Sequence, residues 1–314
     1  MPQGGMQRRE AKPHIVAGMP MYNEEETIGS VVTRALRYVD EVICIDDGSS
    51  DASARIAEAC GATVVRHRVN RGYGGALKTL FLRATELDAD ALVILDSDGQ
   101  HETRDIPKLL EPILNGSADF TIGSRFVDGG GGTDMPAYRR LGIKVITAAS
   151  NLSSDLGIKD TQSGFRAFSK TALERLRFDS EGMELSLEML EDAHEKQLRV
   201  FEVPTVIRYD VPKGSNFTAV SHGFTVMTWA LLSLSQKKPL LVLGIPGFGL
   251  LATGTAMGLR TAQGFTMQID NIIGSGISAV WIGLLGLALM ATGLVLQSAQ
   301  RFLRLLLVRE FGLD

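Results

Sequence analysis

Hydrophobic positions follow two patterns over the first two thirds of the chain. Short unbroken apolar runs alternate with stretches in which apolar residues recur every three or four positions. The first pattern suits strands covered on both faces, the second amphipathic helices. Residues 14–19 form the first run, which Pro20 is expected to end; Ile28, Val31, Val32, Ala35 and Leu36 then recur at helical spacing. Residues 41–45 predict a second strand, 52–60 a helix that Ser50 or Asp51 can cap, and 63–66 a third strand. "HRVNRGYGGALKTL" leads into another helix. The plainest strand is 91–95, five apolar residues that run straight into "DSDGQH". A helix near 104–114, a strand at 119–123, a helix near 138–152 and late strands within "RVFEVPTVIRYD" complete the pattern, with "DGGGGTDMP" as a flexible loop. This alternation predicts an α/β fold around a doubly wound parallel sheet, whose ligands collect at the carboxyl ends of the strands.

The last third is different. Residues 239–259 are 21 positions without a charge, and 272–300 are a second uncharged run, best placed as a span at about 277–296. At about 1.5 Å per residue each is long enough for a hydrocarbon core of about 30 Å. Lys237 and Lys238 precede the first run, Arg301, Arg304 and Arg309 follow the second, and the connector holds only Arg260 and Asp270. The positive-inside rule then predicts a two-helix hairpin in the cell membrane with both chain termini cytoplasmic. The expected organisation is a mobile tail at 1–12, a catalytic domain at 13–218, an amphipathic surface helix at 219–236, the hairpin at 237–300 and a cytoplasmic tail at 301–314.

Composition narrows the classes. A formal net charge of -4 leaves no broad basic field, which argues against nucleic acid as a partner. Cys44 and Cys60 are too few for a disulfide framework and fit no metal spacing. The polar start has no apolar h-region and reads as a tail, not a signal peptide.

Chemistry gathers at the expected strand ends. Asp96 and Asp98, one small residue apart and followed by Gly99, can present carboxylate oxygens together, and Gln100 can add an amide oxygen. Hard divalent cations, Mg2+ or Mn2+, take such ligands together with substrate phosphates. An Asp-rich turn is the plain alternative. Asp46 ends the second strand, where a carboxylate can accept from a base N–H or a ribose hydroxyl; Asp51 is accounted for as a cap. Tyr22 can offer an aromatic face to a base or simply pack, and Glu24 and Glu25 suit a first helical turn. "GYGG" suits close backbone approach to a nucleotide, or a simple turn. Arg125, in "GSRF" after the fifth strand, suits phosphate as a planar fork or a surface ion pair. Glu184, Glu188 and Glu191 share one face of a helix, most simply a solvated one.

Seven pieces, "PMYNEEETI", "IDDGSSD", "NRGYGGAL", "LDSDGQH", "GSRF", "DTQSGFRAF" and "EVPTVIRYD", lie in order over residues 20–214. Together they resemble the family-two inverting glycosyltransferases, specifically the dolichyl- or polyprenyl-phosphate sugar synthases of the dolichol-phosphate mannose synthase type. The resemblance implies a nucleotide-sugar-binding Rossmann-like sandwich of the GT-A type. It implies Pro20, Tyr22, Glu24 and Asp46 as base and ribose contacts, Asp96, Asp98 and Gln100 at the metal and diphosphate, and Arg125 at phosphate. It places Asp160, Ser163, Gly164 and Arg166 near the acceptor. Many relatives carry an Arg where this chain has Asp210, so the residue holding the acceptor phosphate is open among Arg125, Arg139, Arg140, Arg208 and Lys213. The processive Q-x-x-R-W motif is missing.

The implied reaction is metal-dependent, inverting transfer of a hexose from a nucleoside diphosphate sugar (GDP-mannose or UDP-glucose type) to dolichyl or polyprenyl phosphate, with self-association left open. Asp98, Arg125 and Asp160 carry the chemistry. Two other readings are transfer to a hydroxyl of a lipid-linked saccharide, with Glu184 or Asp160 as base, and a non-catalytic sugar-nucleotide-binding membrane protein.

Overall fold

The computed structural model describes residues 12–133, 135, 137–154, 157–180, 182, 185–208, 228, 234–235, 238–266 and 272–311. The expected tail up to residue 11, Glu184, Asp210, Lys213 and nearly all of the expected surface helix at 219–236 lie outside them. The chain divides into two compact units, residues 1–227 and 228–314.

The first unit is built on a seven-stranded sheet. In chain order it contains β1 (Ile15–Met21), α1 (Ile28–Ala35), β2 (Glu41–Asp46), α2 (Ser53–Ala59), β3 (Thr63–Arg66), α3 (Gly72–Glu86) and β4 (Ala91–Ile94). A 3-10 turn (Thr103–Asp105) then leads to α4 (Ile106–Leu114), β5 (Phe120–Ser124), β6 (Gly131–Thr133) and α5 (Ala137–Ser154). After these come β7 (Arg166–Ser169), α6 (Lys170–Arg175), α7 (Leu185–Glu195), β8 (Val200–Pro204) and β9 (Val206–Arg208). The sheet order is β3-β2-β1-β4-β7-β5-β8, with β6 and β9 in a separate two-stranded ladder.

Continuous apolar strands arise because both faces are covered. Ala91 and Val93 of β4, and Leu95 just after it, join the core under α1, α2 and α4, while Leu92 and Ile94 join the core under α3, α6 and α7. β1 and β2 divide the same way: Val42 and Cys44 face one core, Ile43 and Ile45 the other. On α1 the helical spacing is realised as buried Ile28, Val31, Val32 and Ala35.

Four features differ from the sequence reading. Pro20 does not end β1; it pairs in register with Ile45. Pairing to β4 stops at Gly18–Ile94, and the Pro20 carbonyl, on that same side, accepts from the Ser97 hydroxyl at 2.9 Å. The ring nitrogen therefore sits where no ladder donor is required. The sheet is mixed, because β7 runs antiparallel between β4 and β5. "GGGG" is not wholly loop: Gly131–Thr133 pairs in parallel with Val206–Arg208. "GYGG" is the first turn of α3, and at its start the Arg71 and Gly72 N–H groups donate to the Asp47 carboxylate at 2.8 Å each. A carboxylate of the chain itself thus takes the first N-terminal donors of this helix.

The second unit holds a π-helical turn (Leu240–Gly244), α8 (Ile245–Thr266) and α9 (Ile272–Phe311). Two stretches are long and apolar enough to cross a membrane: Leu240–Gln263, mean hydropathy 1.7, and Gly274–Gln300, mean hydropathy 2.2. Glycine lets the two helices touch: a Cβ on Gly254 would stand 2.6 Å from the Gly283 nitrogen, and one on Gly247 would stand 2.7 Å from the Gly286 carbonyl. The expected tail after residue 300 begins as the continuation of α9 to Phe311.

Candidate functional site

Winding reverses between β1 and β4. β2 and β3 lie on one side of β1, and β4 lies on the other. A crevice opens at such a switch point, outside the carboxyl ends of the two strands. Tyr22–Glu24 leave β1 there, and Asp96–Gln100 leave β4 there.

The turn after β4 is held from several sides. The Gln100 N–H donates to Asp98 Oδ1 at 2.9 Å, and Gly99 takes φ +77, the left-handed conformation a glycine adopts without cost. The Arg208 N–H donates to the Gln100 carbonyl at 2.9 Å, so β9 fastens the turn and brings Arg208 beside it. Gln100 is buried. His101 is buried and stacked on Phe165, with ring centroids 4.9 Å apart. Its Nδ1 accepts the Asp96 N–H at 3.1 Å, and its Nε2 lies 3.7 Å from Asp96 Oδ2. Burial lowers the His101 pKa to about 4, which keeps the ring neutral and able to accept. Gly164 closes the turn from the opposite side, packed against the Asp96 carboxylate.

Charge in the crevice is negative and poorly neutralised. Burial raises Glu24 to about 7, with further upward pressure from Asp98, Asp51 and Asp96. Burial raises Asp96 to about 6, against the pull of Arg166 and Arg125. Among the described residues no three His, Cys, Asp or Glu side chains form a ready metal-holding group. A hard cation that keeps its own waters and bridges to phosphate needs only one or two carboxylates. The donor set fits that mode: oxygen ligands on a rigid turn, in a site where carboxylates resist ionising together.

The β1 and β2 loops are stitched to each other. Asn23 N–H donates to Ser49 Oγ, Ser50 N–H to Asn23 Oδ1, Glu24 N–H to Ser53 Oγ, Glu25 N–H to Asp51 Oδ2 and Ala52 N–H to Glu25 Oε2. Asn23 takes φ 57, an uncommon value for a residue with a side chain. Tyr22 is 45% exposed beside this shelf. Asp51 works at the start of α2 by accepting the Ser53 N–H and hydroxyl. Asp46 is buried, accepting from Ser49 N–H and from Arg66 Nε, each at 2.9 Å. Asp47, which the sequence reading did not single out, joins His67 (2.7 Å) to the start of α3.

Arg125 and Asp160 form a buried pair. Asp160 Oδ2 accepts from Arg125 N–H at 3.0 Å and Nε at 2.7 Å, and Oδ1 accepts from Nη2 at 2.6 Å. The fork expected for a phosphate is thus turned on the Asp160 carboxylate. Arg166, expected near the acceptor, is turned inward. It is buried, and its guanidinium donates to the carbonyls of Ser163, Thr161 and Ser186. Ser163 is buried in the same turn, where its Oγ accepts the Phe165 N–H. Arg139 belongs to α5.

A match to glycosyl transferase family 2 covers residues 17–177. The chain belongs to that family. It is 32% identical over 242 residues to the UDP-N-acetylglucosamine–dolichyl-phosphate N-acetylglucosaminyltransferase of Methanococcus voltae, covering 71% of this chain and 96% of that protein. It is 34% identical over 196 residues to the dolichol-phosphate mannosyltransferase of Pyrococcus furiosus, covering 59% of this chain and 54% of that protein. The fold matches glucosyl-3-phosphoglycerate synthase of Mycobacterium tuberculosis, solved with Mn2+, UDP and glucosyl-3-phosphoglycerate, at a TM-score of 0.56 and 24% identity. That match covers 72% of this chain and 80% of the other. This glycosyltransferase therefore has the GT-A mixed sheet with the Asp96–Asp98 turn at its switch-point crevice.

Proposed function

We propose that this glycosyltransferase moves a hexose from a nucleoside diphosphate sugar to dolichyl or polyprenyl phosphate at the cytoplasmic face of the membrane. The observation that carries the reading is the Asp96–Gln100 turn, fixed at the switch-point crevice with Glu24 beside it, in a chain that also holds two membrane-length apolar helices. The names of the two curated relatives, both acting on a dolichyl phosphate, support the acceptor class.

Asp96 and Asp98, with Gln100, would hold Mg2+ or Mn2+, which supplies charge stabilisation to the departing diphosphate. Tyr22, Glu24, Pro20 and Asp46 line the donor's base and ribose side. Arg208, whose main-chain N–H donates to the Gln100 carbonyl and whose guanidinium faces the Glu102 carboxylate at 3.7 Å, is one cation assigned to the acceptor phosphate. Arg139 and Lys213 are the further cations assigned to the acceptor. A phosphate monoester, with a second pKa of about 6, needs no base to become a nucleophile. Asp160, committed to Arg125, fits that requirement, and in-line attack inverts the anomeric carbon. The hairpin keeps the catalytic unit where a lipid phosphate can reach it, with the Lys/Arg-flanked ends cytoplasmic.

The test is a donor panel (UDP- and GDP-linked hexoses) assayed with polyprenyl phosphate, free polyprenol and a lipid-linked saccharide. Lipid-soluble monosaccharide phosphate from the first acceptor alone is the expected result. Equal use of free polyprenol overturns the phosphate-acceptor reading.

A further inference from the structure

Glu202 stands on β8, in register with Ile122 of β5, at the edge of the sheet. Its carboxylate takes two main-chain donors: Lys159 N–H at 2.8 Å on Oε2 and Asp160 N–H at 2.9 Å on Oε1. Asp160 then grips Arg125 through its backbone N–H, Nε and Nη2. Arg125 directly follows β5, so the ring closes: β5 to β8, Glu202 to the backbone at 159–160, Asp160 to Arg125, and back to β5. Its inner end lies next to the crevice, since Gly164, in the same segment as Asp160, packs against the Asp96 carboxylate.

A loop that needed only fastening could be held by one neutral hydrogen bond. Here an ionised group spans two consecutive N–H groups and fixes the peptide carrying Asp160, and charge-assisted bonds of this kind are the stronger ones. We propose that Glu202 is a positioning residue for the transfer reaction: by clamping the backbone of Lys159 and Asp160 it sets the Asp160–Arg125 pair beside the Asp96 turn. It touches neither donor nor acceptor. The inference rests on the proposed transfer only for its activity arm.

The test is a double-mutant cycle in the full-length protein, read as nucleoside diphosphate released from the donor in the presence of polyprenyl phosphate, with lipid-linked sugar measured separately. Glu202→Ala is expected to lower kcat about tenfold with the donor KM within about twofold, as a small displacement of catalytic groups does. The same substitution in an Asp160→Asn background is expected to cost less than about twofold further, because both changes act through one group. Glu202→Gln, which keeps one acceptor oxygen, is expected to fall between the two. Amide hydrogen exchange at residues 158–163 should quicken in Glu202→Ala while β1, β2 and β4 keep their protection. Equal fractional losses in both backgrounds, a loss confined to donor KM, or unchanged exchange at 158–163 overturns the proposal. Nucleoside diphosphate release without lipid-linked sugar would refute the acceptor assignment instead and leave the cycle readable.

Discussion

Gly164 has its backbone against the carboxylate of Asp96: a Cβ placed on it would stand 3.0 Å from Oδ2 and 3.1 Å from Oδ1. Gly164→Ala should therefore displace Asp96 by a few tenths of an ångström while leaving the fold intact. Transfer should drop on the order of 10- to 100-fold, since small misplacements near reacting groups are costly. The concentration of Mn2+ giving half-maximal rate should rise. A variant with wild-type rate and metal response would show that Asp96 is not held by this contact.

Asp98 Oδ1 accepts the Gln100 N–H that shapes the turn. Asp98→Asn keeps an oxygen for that bond and removes only the charge, which makes it a cleaner probe than alanine. Activity should fall about 100-fold or more, the usual scale for losing a charge-stabilising group. The circular dichroism spectrum and membrane fractionation should match the wild type. Chelation of divalent metal should reduce the wild type to the same level.

Glu24 at about 7 and Asp96 at about 6 lie above the range of unfolded carboxyl groups. Between roughly pH 4 and pH 7 the folded metal-free protein binds more protons at these sites than the unfolded chain does, so their contribution to stability falls as pH rises. The penalty is absent below the unfolded pKa values and complete above about 7 for Glu24. Glu24→Gln should flatten this part of the metal-free melting profile. Mn2+ should raise Tm at pH 7.5 and do little at pH 5, where protons compete for the same oxygens. A metal-free Tm slope between pH 5 and 7.5 that is identical in wild type and Glu24→Gln would show that burial and its acidic neighbours do not raise Glu24.

Arg125→Ala leaves the Asp160 carboxylate buried without its cation. Breaking a buried pair from one side costs about 3–5 kcal/mol. Urea unfolding of Arg125→Ala should show a loss of that order, and Arg125→Lys should recover only part of it, because a lysine cannot reproduce the two-pronged contact. A loss under about 1 kcal/mol, the scale of a solvent-exposed pair, would contradict the buried geometry.

Single cysteines report the hairpin orientation. A cysteine in the 260–271 connector should react with an impermeant maleimide on intact cells, and one at Ser50 should not, in a background lacking Cys44 and Cys60. Labelling at position 50 would reverse the topology.

Much of this was readable from the chain because the key strand is buried on both faces. Residues 91–95 could be little else, and Asp96 and Asp98 had to fall at its carboxyl end. The two long apolar helices were legible from the missing charges alone. What stayed hidden depends on distant partners. Pro20 could remain in β1 only because β4 stops pairing at Ile94. The antiparallel entry of β7 between β4 and β5 depends on neighbours more than 40 residues away. "GYGG" suited close approach to a nucleotide, and no local pattern shows that Asp47 takes the Arg71 and Gly72 N–H groups at its start. Arg166 and Arg125 each carry a charge suited to phosphate, and no local pattern shows that one is spent on carbonyls and the other on Asp160. His101 stood within "LDSDGQH"; its role depends on Phe165 and on the Asp96 N–H.

The loops after β1 and β2 satisfy one another's donors and acceptors before any ligand is involved. The conformational entropy of that wall is therefore lost during folding and not again at each turnover. A donor meets a surface already in its final shape, so its association with this wall should be limited by encounter and desolvation rather than by a loop-closing rate. If the proposed donor binds here, adaptation to a different sugar is left to the other side of the crevice, where Gly164 lies against Asp96, and the wall built by the β1 and β2 loops can stay unchanged while the transferred sugar varies.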